Sequence, residues 1–243
     1  IRLHPLPALR QSDQSQLIGR KNERLLSSFF FSAFFWRKGE NTMKQSWKGS
    51  VLLAPVPPVL VSCGDLEHPN VLTVAWTGVL NTRPPMTYIS LRPERYSYEL
   101  IEKNRCFCIN LPTAGLVKAV DFCGCRSGRQ VDKFAHCGLT PVPSQEVEAP
   151  MVEQSPVSLE CRVKEIVPLG THHMFTAEIV RVNVEESLLD QAGKLDLSKA
   201  GLLAYAHGEY FALGKKLGKF GDSVRKKRKN RSEAHPSRPK RGF

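Results

Sequence analysis

A strict alternation in the middle of the chain limits the fold more than any other feature. Leu159, Cys161 and Val163 point one way, and Ser158, Glu160, Arg162 and Lys164 the other. That period of two belongs to a half-buried β-strand. Gly170-Thr171 then turns the chain and Met174–Val184 returns as a long strand, which predicts a hairpin. Shorter segments of the same kind precede it. Val51–Val61 is apolar but broken by Pro55, Pro57 and Pro58, and reads as an edge strand or an extended lead-in. Val71–Leu80, Met86–Leu91 and Cys106–Leu111 read as strands, the first bounded by His68-Pro69-Asn70 and by Asn81–Pro85. Tyr96–Lys103, with Ser97 near its start, and Ala114–Phe122 read as short helices, and Leu202–Leu213 as a last strand or mixed segment. Many short strands, few helices and frequent turns predict a mainly β protein built as a closed or partly closed barrel. There is no internal repeat.

The net charge of +12 over 243 residues suggests an anionic partner until the chain is divided. Residues 1–42 carry +4 and residues 225–243 carry +8, whereas residues 43–224 hold 19 basic and 19 acidic side chains. The charge therefore belongs to the ends and says nothing of the body's chemistry. The tail from Arg225 is a like-charge block expected to be disordered. It could meet nucleic acid through phosphates, but no aromatic residue is interleaved before Phe243 to stack on bases. A solvated tail is the simpler reading, and a nucleic-acid-associated protein remains the alternative from another class.

Lys38-Gly39-Glu40 before Met43 is what a purine-rich ribosome-binding site yields in translation, so residues 1–42 are expected to be translated leader or a disordered extension. A crude signal peptide, with Leu25–Trp36 as its apolar part, is the rival. That stretch is too short for a membrane span, which needs roughly 18 apolar residues, and no membrane partner is expected.

All 7 cysteines lie in the body. The odd number favours reduced thiols in a cytoplasm. Cys106-Phe-Cys108 and Cys123-Gly-Cys125 are poor matches to zinc spacing, so no metal is expected. Lys215–Phe220 after Gly214 lacks the spacing and hydroxyl of a phosphate loop, and no G-x-G-x-x-G turn is present.

Six segments in order carry a resemblance. They are Asn70–Gly78, Pro84–Tyr98, Phe107–Pro112, Asp121–Gly124 with Ser127–Phe134 and Gly138–Thr140, Gly170–Phe175, and Tyr210–Gly214. Together they resemble the flavin reductase-like, flavoredoxin-type FMN-binding proteins over nearly all of residues 50–220. The resemblance implies an FMN-binding split β-barrel, Greek-key-like, between Met43 and about Val224. It implies an oxidoreductase passing electrons from NAD(P)H, as a transient co-substrate, through flavin to a flavin or redox-protein acceptor. A flavoredoxin-like carrier without direct NAD(P)H activity is the alternative. A homodimer is implied as well. Thr171 and Ala177 depart from the family's usual Asp and Gly, which puts in doubt a polar role for the hairpin turn.

The site residues follow from the same match. A phosphate dianion wants a guanidinium, hydroxyls and helix-start amides. Arg95 and Ser97 at a helix start, just after Ser90, supply that chemistry, and Lys133 adds a second cation. Asn70, Thr73, Ala75, Trp76 and Thr77 are implied to line the flavin ring, with Trp76 either flanking it or in the core. Asn110 resembles the family's strand-end Asn near the cofactor, or else ends its strand as a turn residue. His172 and His173 are flavin-face candidates. Neither is required as an acid or base, because hydride transfer to a flavin needs stacking and position.

Overall fold

The computed structural model describes residues 43–225. The leader reading for 1–42 and the tail beyond residue 225 lie outside the described residues. The chain divides into two units, 1–50 and 51–243. In the first, residues 43–50 are exposed and form no helix or strand.

The second unit runs β1 (Val59–Gly64), β2 (Pro69–Val74), β3 (Thr77–Thr82), β4 (Pro85–Leu91), α1 (Tyr96–Asn104), β5 (Cys106–Leu111), α2 (Val117–Cys125) and α3 (Lys133–Cys137). It continues with β6 (Pro141–Val142), β7 (Met151–Val152), β8 (Val157–Pro168), β9 (His173–Val184), β10 (Leu203–Ala206) and β11 (Glu209–Ala212). One antiparallel sheet of seven strands has the order β2-β1-β5-β8-β9-β4-β3, and β6–β7 and β10–β11 pair as small hairpins.

The order of the sheet dictates its curvature. β2 and β3 stand at opposite edges, yet only Ala75 and Trp76 separate them in sequence. Such a link spans about 10 Å. A flat sheet of seven strands is about 29 Å wide at the usual strand spacing. The sheet must therefore curl until its edges meet, with the split at Ala75-Trp76. The Ser90 amide donates to the Trp76 carbonyl (2.9 Å) at that seam. The expected single strand Val71–Leu80 is thus two strands, one on each side of the split. A local β pattern cannot register that break, because both halves are extended.

Two other expectations change. Residues 51–58 form no strand beyond a bridge from Val56 to Tyr205. The strand begins at Val59, runs to Gly64 and lies inside the sheet between β2 and β5, not at an edge. Its six residues are all buried. The alternation in β8 holds only for its middle: Ser158 and Glu160 are buried as fully as Cys161. The segment 144–149 and β7 cover that second face. Glu160 accepts the amides of Gln145 and Glu146 and the Asn183 side chain (2.8 Å), and Ser158 donates to Asn110 Oδ1 (2.8 Å). Each polar group is satisfied, as burial requires.

The core lies inside the curl, where Phe107, Phe175 and Ile89 are fully buried with Val59, Val61 and Cys161. Helix α1 closes one end by burying Ser97, Tyr98 and Ile101, and it stops where Arg105 enters the left-handed region (φ 54°). Helix α3, which the local pattern did not predict, is capped by Asp132 Oδ1 accepting the Ala135 amide (3.1 Å) and ends at Gly138 (φ 63°). Leu202–Leu213 resolves into the hairpin β10–β11.

Candidate functional site

Two cavities meet along the split. The first, about 340 Å³, is bounded by Thr73–Trp76, Ser90, Arg92, His172, and Tyr205 and Tyr210 of the β10–β11 hairpin. The second, about 550 Å³, lies under the start of α1 and is bounded by Arg95, Ser97, Arg126, Ser127, Gly128 and Lys133. Leu72, Thr73, Arg92, Arg95 and Gly124 belong to both walls, so the two form one cleft with an aromatic end and a basic end.

Four cations, Arg92, Arg95, Arg126 and Lys133, line the basic end against the single carboxylate of Glu94. Arg95 is the N-cap of α1, yet no side chain caps the helix. The first-turn amides at Tyr96 and Ser97 therefore face the cavity with the positive end of the helix dipole. Arg95 Nη1 donates to the Gly124 carbonyl (3.2 Å), which leaves its other donors for a ligand. Lys133 is only 4% exposed. Its ammonium donates to the carbonyls of Cys123 (3.2 Å) and Arg126 (3.3 Å), using two of three donors. Burial pushes the Lys133 pKa below its ordinary value, and the nearby Arg95 adds to that shift. A bound anion would oppose both effects. Arg129 is engaged elsewhere, by Glu99 and the face of Tyr96 (4.9 Å).

Gly128 is needed for shape. A Cβ there would lie 2.1 Å from Asn70 Oδ1 and 3.0 Å from Tyr96 Cδ1. The loop backbone can approach β2 this closely only without a side chain. Asn70 in turn donates to Ser97 Oγ (2.6 Å) and Cys63 Sγ (3.6 Å), locking the serine that faces the cavity.

At the aromatic end, the His172 ring stacks on Trp76 with centroids 4.3 Å apart and planes tilted by 39°. Thr171 Oγ1 lies 3.0 Å from His172 Nδ1. Burial, with Arg92 and Arg95 nearby, holds the His172 pKa below the ordinary histidine value. The Tyr210 hydroxyl donates to Asp121 (3.3 Å), and burial and that carboxylate push its pKa up to about 12. Tyr210 is therefore a neutral donor near neutral pH.

Of the candidate residues, Thr73, Ala75, Trp76, Ser90, Arg95, Ser97 and Lys133 line the cleft, as does His172. Asn70 stands behind the lining. Thr77 turns its hydroxyl to the Tyr88 carbonyl (2.6 Å) within the β3–β4 pair. His173 faces Tyr98, whose hydroxyl is 2.9 Å from its Nδ1. Asn110 is fully buried away from both cavities. It donates to Leu60 O and Ser62 Oγ and accepts from the Val152 amide, tying β1, β5 and β7 together. Its motif is legible in sequence, but its direction is set by the strand pairing. Tyr205 and Arg126 join the cleft without a signal in the sequence, whereas Asp121 and Tyr210 stand in segments that carry the resemblance, with no role implied for either. No group of three or more His, Cys, Asp or Glu able to hold a metal occurs among the described residues.

This arrangement fits FMN: a basic pocket with helix-start amides for the phosphate, and an aromatic chamber beside it for a flat ring. The model of the flavin reductase like domain matches residues 51–214. The chain belongs to that family. The flavoredoxin of Desulfovibrio vulgaris (Miyazaki F) is 35% identical, with a TM-score of 0.70 over 75% of this chain and 100% of its own. An FMN-binding protein from Thermus thermophilus is 26% identical, with a TM-score of 0.61 over 75% of this chain and 99% of its own. An uncharacterized protein of Archaeoglobus fulgidus is 31% identical over 65% of this chain and 88% of its own length. The fold is accordingly the split barrel of flavin reductase-like proteins.

Proposed function

We propose that this chain binds FMN and passes electrons from NAD(P)H, through the bound flavin, to a flavin or protein acceptor. The observation that carries this reading is the confluence of the two cavities at Thr73 and Arg95, which matches a phosphate joined to a planar ring. Arg95, Ser97 and Lys133 would hold the phosphate, with the first-turn amides of α1 and the Ser127-Gly128 loop completing the pocket. Thr73, Ala75 and Ser90 would edge the ring chamber, and the Trp76–His172 stack would form a wall that excludes water from one side. When bound, FMN would supply two-electron transfer at its ring, so no side chain need act as nucleophile or general base. The neutral His172 fits this, since it offers an uncharged surface at the chamber. NAD(P)H would dock transiently at the open mouth, because the chain has no dinucleotide-binding turn of its own.

The absorption spectrum of the protein, reconstituted with FMN and desalted, tests this before and after anaerobic NADPH or NADH. A retained flavin band that bleaches supports the reductase. Failure to retain any band refutes the binding site. The likeness to a flavoredoxin at 35% identity favours one second reading, an electron carrier fed by another protein, for which the band is retained but nicotinamide does not bleach it.

Two further parts of the reading concern setting. All seven cysteines are free thiols, which favours a reducing compartment such as the cytoplasm. No helix among the described residues is long and apolar enough to cross a membrane. The exposed Val79 and Leu80 on edge strand β3 favour a homodimer. Sizing of the Val79→Lys variant tests that; an unchanged elution volume counts against this edge as the interface.

A further inference from the structure

The loop that joins α2 to α3 carries much of the basic end of the cleft: Arg126, Ser127, Gly128 and, at its close, Lys133. Its two flanks bear thiols in contact. Cys123 Sγ on α2 lies 4.0 Å from Cys137 Sγ on α3. We infer that Cys123 and Cys137 form a reversible thiol–disulfide pair that fastens the anion-binding loop at its base when the protein meets a hydroperoxide.

Three observations single out this pair. The sulfurs are already close, and closing to the bonded separation of about 2 Å needs movement shared by two short helices, not a change of fold. The two thiols differ in access: Cys123 is 1% exposed, whereas Cys137 is partly exposed. An oxidant therefore reaches Cys137 first, with Cys123 placed behind it to resolve the product. Of the remaining cysteines, Cys125 on α2 is exposed, and the four buried ones are arranged otherwise. Cys106 and Cys108 are two apart on one strand of the sheet, and Cys108 is bonded to the Ala149 carbonyl (3.2 Å). Cys63 is buried against Asn70, and Cys161 in the core.

The chemistry balances with hydrogen peroxide as oxidant. Cys137, having lost its proton, attacks one peroxide oxygen. The O–O bond breaks, and the departing hydroxide takes up a proton to leave as water, so Cys137 becomes a sulfenic acid. The Cys123 sulfur then attacks the Cys137 sulfur. The S–O bond breaks, and the hydroxide leaves with the Cys123 proton as a second water. Two thiols are oxidised to one disulfide and one peroxide is reduced to two waters. Burial, with Cys137 beside it, pushes the Cys123 thiol up to about 12, so Cys123 keeps its proton and Cys137 is the first of the two to react. Lys133, whose ammonium donates to the Cys123 carbonyl, keeps a cation beside the reacting sulfurs.

The consequence lies in the enclosed segment. With its ends tied, the loop loses open conformations, so the groups it presents to the cleft are held in place. The segment contains Arg126, Arg129 and Lys133, all sites of tryptic cleavage. The full chain, free of FMN, is treated with hydrogen peroxide and analysed by non-reducing peptide mass mapping and limited trypsin digestion. The expected result is loss of two hydrogens, a 123–137 cross-linked peptide and several-fold slower cleavage after Arg126 and Arg129, all reversed by dithiothreitol. Cys137→Ser abolishes the cross-link and the protection, and Cys125→Ser keeps both. FMN titration of the oxidised form is expected to give a lower Kd than the reduced form. Overoxidation of Cys137 without a cross-link, a bond from Cys125 to Cys137, or a cross-link that leaves trypsin cleavage unchanged overturns the inference. Mass and cleavage are read without flavin, so they stand apart from any failure of FMN to bind.

Discussion

Substituting Gly128 by Ala puts one methyl into the tightest backbone approach of the site. The added Cβ meets Asn70 Oδ1 at 2.1 Å, far inside contact distance. A free side chain would swing away, but Asn70 is only 6% exposed and tied to Ser97 Oγ (2.6 Å) and Cys63 Sγ (3.6 Å). Moving it breaks the bond to Ser97, which costs about 1 kcal/mol. The second contact, Tyr96 Cδ1 at 3.0 Å, adds overpacking at the low end of the usual range of about 1–3 kcal/mol. Against these, Ala lowers the entropy of the unfolded chain and returns about 0.4–1 kcal/mol. The net is a loss of about 1–1.5 kcal/mol, or a fall in Tm of about 2–6 °C for a chain of this size. Differential scanning calorimetry of the FMN-free protein measures it. The double variant with Asn70→Ala isolates the cause: once Oδ1 is removed, adding Gly128→Ala should cost less than about 0.5 kcal/mol more. A Tm for Gly128→Ala within about 1 °C of wild type, or strict additivity in the double variant, would refute the reasoning.

Three other perturbations probe the cleft and its frame. Arg95→Ala should weaken FMN binding about 10–100-fold, as expected for loss of a charge-assisted contact of about 1.5–3 kcal/mol, while the unfolding midpoint of the FMN-free protein stays near wild type. Flavin fluorescence quenching reads the affinity, and unchanged binding would remove Arg95 from the site. Glu160→Gln should cost about 1–3 kcal/mol, because an amide NH₂ replaces one of the two oxygens that accept N–H groups of Gln145, Glu146 and Asn183. Burial alone would raise the Glu160 pKa, but the donors from Asn183, Glu146 and Gln145 outweigh it and hold the pKa below the ordinary value. The stability is therefore present above the unfolded pKa of about 4.3 and lost as pH falls through the lower folded value. The gap in urea midpoint between wild type and variant should accordingly close on acidification, and a gap independent of pH counts against the carboxylate's role. For His172, burial followed by Arg92 and Arg95 lowers the pKa, so its NMR titration midpoint should fall below that of a free histidine and rise in Arg92→Gln. Because the folded state disfavours that proton, His172 should also reduce stability as pH falls below about 6.5. A midpoint at or above that value contradicts the crowded cationic setting.

The sequence by itself determined the elements whose cause is local. Cys106–Leu111 is a strand because six apolar or β-compatible residues run unbroken to Pro112. Tyr96–Asn104 is a helix because Tyr98 and Ile101 fall on one face after an extended Arg95. The order of six motifs along residues 70–214 was enough to indicate the family and to nominate Arg95, Ser97 and Lys133. What only the tertiary structure decided is everything that depends on closure. The break at Ala75-Trp76 is invisible locally, since a chain leaving one edge of a sheet for the other is extended on both sides. Ser158 and Glu160 read as an exposed face until the 144–149 segment covers it, its amides donating to Glu160 while Ser158 donates to Asn110. Asn110 belongs to a strand-end motif, but its pairing with Leu60 and Ser158 turns it to the face that β7 covers. Tyr205 and Tyr210, more than a hundred residues from Trp76, reach the same chamber only because the last hairpin docks across the split. The contact of Cys123 with Cys137 likewise needs two helices to pack side by side. Period and motif report what each segment prefers, while the site is made where distant segments are brought together by burial, and that free energy belongs to no segment alone.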